Sequence, residues 1–170
     1  MINRIIRYTG IYVILMLLQI FVLNNIQFSG YVNPYIYILF ILLLPVETAG
    51  WIVLIVSFFA GLILDLFTNT PGMHAGASAG AGFIRPYILR AISPRDGYKP
   101  DSEPSMIIYG FRWFLVYSLA IVTVHHLLLF YLEVFSLAGF LRTFLRVILS
   151  TVFSVTFIIL AEYFRGVVRK

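Results

Sequence analysis

Cysteine is absent from the 170 residues, so the chain can form neither disulfides nor thiolate metal sites. Charge is scarce. Asp, Glu, Lys and Arg make up 11% of the chain, against roughly a quarter of an average soluble domain. There is no internal repeat and no low-complexity tract. The longest polar stretch is the loop Ser93–Ser105 (SPRDGYKPDSEPS), too short for a domain of its own. The first apolar run follows a basic N-terminus, as in a signal peptide. It ends at Asn24-Asn25 without a small-x-small cleavage site, which favours a retained first span. What is abundant is apolar sequence: 61% of residues, with a mean hydropathy of +0.98. That composition describes one integral membrane domain crossing the bilayer several times.

Six apolar runs are expected to cross, at about 5–23, 34–46, 48–67, 72–92, 106–132 and 139–164. The second is short for a bilayer core of roughly 30 Å, so it could cross or only dip in. Asn33 and Pro34 read as its cap and first-turn proline. The basic residues decide between the two. With six crossings, Arg4, Arg7, Arg85, Arg90, Arg95, Lys99, Arg112, Arg165, Arg169 and Lys170 share one side, and only Arg142 and Arg146 lie near the other. A re-entrant second run would scatter them. The bias of Lys and Arg toward the cytoplasm favours six crossings with both termini cytoplasmic. The net charge of +5 is therefore loop bias, not a nucleic-acid footprint.

The densest pattern is Gly61–Pro86, GLILDLFTNTPGMHAGASAGAGFIRP. It reads as a tight hairpin of two spans with a carboxylate near its tip. Ser57, Gly61 and Asp65 recur every four residues and share a helix face. Gly72, Gly76 and Gly80 do the same in the next span, after the turn at Pro71. The two stripes are expected to meet in a close seam. Asp65 then either caps the following turn or takes a cation as partner. The last span carries a polar stripe, Arg142, Arg146, Ser150, Ser154 and, further on, Glu162, too regular to face lipid. A buried cation needs a partner. Asp65, His125, His126 and Glu133 lie at similar depth, so Arg142 or Arg146 is expected to pair with Asp65 or Glu133. At the opposite end, Glu47, Arg85, Arg112 and Glu162 form a candidate second network. Pro86 removes a helix hydrogen bond beside Arg85.

Two patterns invite an enzymatic reading. His125 and His126 are adjacent, so on a helix they point about 100° apart and do not readily bind one ion. Gly76-Ala77-Ser78-Ala79-Gly80 matches G-x-S-x-G, but that motif acts at a strand-to-helix elbow. Here it lies in a small-residue helix, where packing alone explains it. An intramembrane serine protease would use Ser78 with His125 or His126, yet the other landmarks of such enzymes are missing. No metal or cofactor is implied.

With Gly61, Asp65, Pro71 and Gly72 in GLILDLFTNTPGMHA, the chain resembles the rod shape-determining protein MreD family. Length, the basic N-terminus and Asn24-Asn25 after the first span also fit. The sharp part of the resemblance is Gly61–Pro86; elsewhere it is a match of hydropathy. The resemblance implies an all-α bundle of six transmembrane helices, similar to the substrate-binding subunits of ECF transporters. It implies a non-enzymatic inner-membrane scaffold of the bacterial cell elongation (rod) complex. The implied partners are MreC first, then MreB, RodZ, RodA and a penicillin-binding transpeptidase, with membrane lipid around the bundle. A homo-oligomer is compatible with this reading. The loop Ser93–Ser105 is either a docking handle or a solvated connector. The rival reading is a small-solute binding subunit of an ECF-type transporter. Such subunits carry an Ala-x-x-x-Ala patch on the first span, and span 1 here has no alanine.

Overall fold

A backbone in lipid must satisfy its own polar groups, and helices do this within one segment. The computed structural model describes residues 2–26, 32–135 and 139–168. Seven α-helices carry these residues: α1 (Ile2–Phe21), α2 (Ile38–Leu43), α3 (Gly50–Thr68), α4 (Met73–Ala91), α5 (Met106–Tyr109), α6 (Phe111–Val134) and α7 (Phe140–Val168). Four stretches are helical, long and apolar enough to cross a membrane: Ile6–Asn25, Gly50–Thr68, Phe111–Val134 and Phe140–Val167. The chain is thus an all-helical, multi-pass membrane protein.

Helix α4 lies between α3 and α6. Its Gly, Ala and Ser residues lower its hydropathy but let both neighbours approach. The α3–α4 hairpin turns through Asn69 (φ 55°) and Gly72 (φ 83°). The left-handed conformation at Gly72 costs a residue without Cβ little. Helix α4 continues through Pro86. Helix α6 is separated from α5 by Gly110, another left-handed position at φ 85°.

The expected helix at 34–46 is the main correction. Residues 33–37 are not helical, and the helix covers only Ile38–Leu43. Asn33 and Pro34 cap nothing; the residue before the helix is Tyr37, with no side-chain cap. Every residue from Tyr35 to Leu44 is buried. The non-helical stretch finds its bonds in neighbouring side chains. Asn33 N–H donates to Ser150 Oγ (3.2 Å), Tyr35 N–H to Ser154 Oγ (2.8 Å) and Ile36 N–H to Gln19 Oε1 (2.8 Å). Gln19 Nε2 donates to the Pro34 carbonyl (3.1 Å). The segment therefore begins beside Ser150 of α7 and ends at Leu44 and Pro45 beside Arg85 of α4.

The bundle has two distinct ends. The hairpin tip, Asn33, Glu133 and Arg146 gather at one. The start of α1 and the end of α7 gather at the other, where Arg7 and Arg165 both meet Glu103. Arg90 lies in the last turn of α4, Arg112 in the first turn of α6, and Arg95 and Lys99 in the loop after α4, at the end holding Arg7 and Arg165. Arg169, Lys170 and the side chain of Arg4 lie outside the described residues.

Candidate functional site

The α3–α4 hairpin is sealed by Asp65, which is 3% exposed. Its Oδ1 accepts from His74 N–H (3.0 Å) and Thr70 Oγ1 (2.9 Å), and its Oδ2 accepts from Ala75 N–H (2.9 Å). The first backbone N–H groups of a helix have no partner within it, and the positive end of the helix dipole favours an anion there. Asp65 meets both needs of α4 from the preceding helix. Among the described residues no cation pairs with it. Of the two readings for Asp65, capping holds and the ion pair does not.

The glycine stripes do not meet as expected. Gly61 lies against the start of α4: a Cβ there would sit 2.2 Å from the His74 carbonyl oxygen. Gly82, not Gly76 or Gly80, faces α3, and a Cβ on it would lie 2.6 Å from Ser57 Oγ. Gly76 and Gly80 face Leu132 and Leu128 of α6. The close seam between α3 and α4 exists, with Gly61 and Gly82, while Gly76 and Gly80 serve a second seam against α6 and a Cβ on Gly72 would meet neither helix. Four-residue spacing located a small face on α4 without telling which neighbour it faced.

Arg146 takes Glu133, at 2.9 Å, as one of the expected pairings. Its guanidinium also lies 4.2 Å from the centre of the Phe130 ring. With its amide turned to satisfy both ends, Asn33 accepts from Arg146 at 2.9 Å. Arg142 is exposed one turn nearer the rim. Below Arg146, the stripe Ser150 and Ser154 serves the buried 33–37 backbone, which explains why it avoids lipid.

The adjacent histidines are fully buried and belong to a polar core that sequence reasoning missed. Tyr37 is its centre. The phenol oxygen lies 2.6 Å from His125 Nε2 and 2.8 Å from Ser78 Oγ, with His74 Nδ1 at 3.5 Å. His126 bonds the Val122 carbonyl (2.7 Å) and Ser154 Oγ (3.2 Å). The two imidazoles diverge, as adjacent helical positions require. Among the described residues no three His, Asp or Glu side chains converge as a metal site would need. Ser78 meets the Tyr37 hydroxyl instead of an imidazole nitrogen, and Tyr37, Ser78 and His125 are all 0% exposed. A signal for this core was present: the polar side chains of Gln19, Tyr35, Tyr37 and Ser78 recur inside apolar runs.

A cavity of about 390 Å³ opens at the hairpin end. Asn33, Tyr35, Thr70, His74, Glu133 and Arg146 contribute to its lining. Asp65 and His126 do not.

At the opposite end, of the four residues expected in a network only Glu162 joins it. Arg165 donates to both oxygens of the fully buried Glu162 (2.6 and 2.7 Å) and to Glu103 (2.9 Å). Glu103 also takes Arg7 and Tyr8. Glu47 and Arg112 are exposed and stand outside this group. Arg85 is 1% exposed, yet its partners are not acids. It donates to Tyr117 Oη (2.8 Å) and to the carbonyls of Leu44 and Pro45. The Ser93–Ser105 loop is only partly free, because Ser102, Glu103 and Ser105 are buried and Val46 N–H donates to the Ser102 carbonyl (3.0 Å).

Compared with protein-family models, characterised proteins and solved structures, the chain matches none.

Proposed function

We propose that this protein is a non-enzymatic scaffold of MreD type in a bacterial inner membrane, with six crossings and both termini in the cytoplasm. The observation that carries the reading is how Asp65 is used. The stretch that resembles the family spends its carboxylate on three bonds within the hairpin, leaving the acid an architectural task. The orientation follows from the positive-inside bias, since the end holding both termini also holds Arg90, Arg95, Lys99 and Arg112. The scaffold would bind MreC through apolar helix faces, with MreB, RodZ, RodA and a transpeptidase in the wider complex. Large apolar residues such as Leu17, Phe59, Leu66 and Leu145 are exposed along α1, α3 and α7. They offer surface to lipid and partner helices alike.

One observation favours a second reading, a subunit that binds a small solute. The cavity at the hairpin end holds hydrogen-bonding groups and one ion pair, which suits a small polar ligand. The absence of alanine from the first span counts against contact with an ECF coupling subunit.

The test is a mild-detergent pull-down of tagged protein from its own cells, with mass spectrometry of proteins and small molecules. Recovery of an MreC-like protein and wall-synthesis enzymes is the expected result. Recovery of an ATPase module, or of a solute at one-to-one stoichiometry, would replace the scaffold reading with the transporter one.

A further inference from the structure

A second hollow, of about 340 Å³, lies on the outer face of the α3–α4 pair at the end holding the termini. Its floor is Gly50 and Pro86. A Cβ on Gly50 would sit 3.8 Å from the Pro86 ring, so the missing side chain there leaves the groove open. Trp51, Leu54, Phe83 and Tyr87 wall it. All four are exposed. Arg90, in the last turn of α4, completes the lining. The guanidinium of Arg90 makes no hydrogen bond or ion pair among the described residues, and no acid lines the groove.

We propose that this groove binds an anionic phospholipid, with an acyl chain along Leu54 and Phe83 and the phosphate on Arg90. Three observations fix the occupant. The walls are apolar and lie on α3, a helix long and apolar enough to cross a membrane, and on α4 packed along it. Trp51 and Tyr87 are the aromatic types that settle at the headgroup level. Among the described residues the cation at the mouth has no partner, and basic pockets between membrane helices recruit anionic headgroups. The proposal rests only on the membrane-spanning fold, not on the elongation-complex reading.

Trp51 is one of two tryptophans, so it can report contact. Trp113→Phe leaves it the sole fluorophore. The protein is placed in phosphatidylcholine bilayers containing a fixed fraction of brominated phosphatidylglycerol or, in parallel, brominated phosphatidylcholine. Brominated phosphatidylglycerol is expected to occupy the site about fivefold more strongly, the ratio contributed by one basic group near a membrane surface. Arg90→Gln should erase the preference, and high salt should reduce it. Equal quenching by the two lipids overturns the proposal. So does a preference that survives Arg90→Gln, or an absence of quenching by either lipid, which would mean that protein covers the groove. Should Trp113→Phe not fold, native mass spectrometry of the unsubstituted chain and of Arg90→Gln reads the same preference as retained phosphatidylglycerol against phosphatidylcholine.

Discussion

Asp65 and Arg85 are both almost wholly buried, one at each end of the bundle, and both act on α4. Among the described residues, neither is held by an opposite charge. Asp65 accepts from backbone N–H groups at the start of α4 and from Thr70. Arg85 donates to backbone carbonyls of Leu44 and Pro45 and to a phenol. The difference lies in reach. Asp65 joins neighbours in sequence and closes a hairpin. Arg85 staples α4 to a segment some forty residues earlier, just past the end of α2, where the Leu44 carbonyl takes its guanidinium. Both charges answer orphaned backbone groups, so a search for matching charges finds neither arrangement.

The comparison breaks most sharply at Arg85. Arg85→Met should remove three charge-assisted bonds and leave the Leu44 carbonyl without its donor, while Tyr117 keeps Leu42 and Pro45 keeps Thr48. The cost should be about 3 kcal/mol, read as the unfolding midpoint in mixed micelles. Arg85→Lys should recover little, because an ammonium cannot fork to both sides. Full recovery by lysine would show that charge alone matters.

Gly61→Ala comes next. Its Cβ would strike the His74 carbonyl and push α4 away from Asp65, costing about 2–3 kcal/mol. Gly80→Ala sharpens the contrast. The obstacle there is the Leu128 side-chain tip, which can turn aside, so a cost under about 1.5 kcal/mol is expected. Comparable losses of folded yield on heating would mean that both glycines meet rigid walls.

At Asp65 the conservative change should cost least. Asp65→Ala should cost about 2 kcal/mol and Asp65→Asn about 1 kcal/mol, since one amide oxygen still caps. Thermal unfolding of the pair separates capping from charge: a loss in Asp65→Asn as large as in Asp65→Ala would mean that the negative charge itself carries the stability.

The sequence made some of this legible. Long apolar runs located α1, α3, α6 and α7 within a few residues. Small residues in step marked α4, and depth put the Glu133–Arg146 pair among the expected alternatives. Hydropathy failed at 33–37 because it counts apolar side chains without knowing whether lipid or protein surrounds them. A run buried on every side need not be helical, because Gln19, Ser150 and Ser154 stand in for helical hydrogen bonds. Glu103 was hidden for a related reason. Its polar loop folds back under α1 and α7, and nothing local in SPRDGYKPDSEPS distinguishes a buried glutamate from a solvated one.

The buried segment also constrains how the protein is made. Its donors at Asn33 and Tyr35 find their acceptors 117 and 119 positions later in the chain. While the ribosome is still producing the middle of the chain, this stretch has no α7 to lean on, and bare backbone in hydrocarbon is costly. Insertion must therefore stay unfinished until the last helix arrives. The buried segment is the first to follow α1, yet it is the last to settle. A nascent chain halted before Ser150 would hold that stretch in a partly hydrated or translocon-bound state.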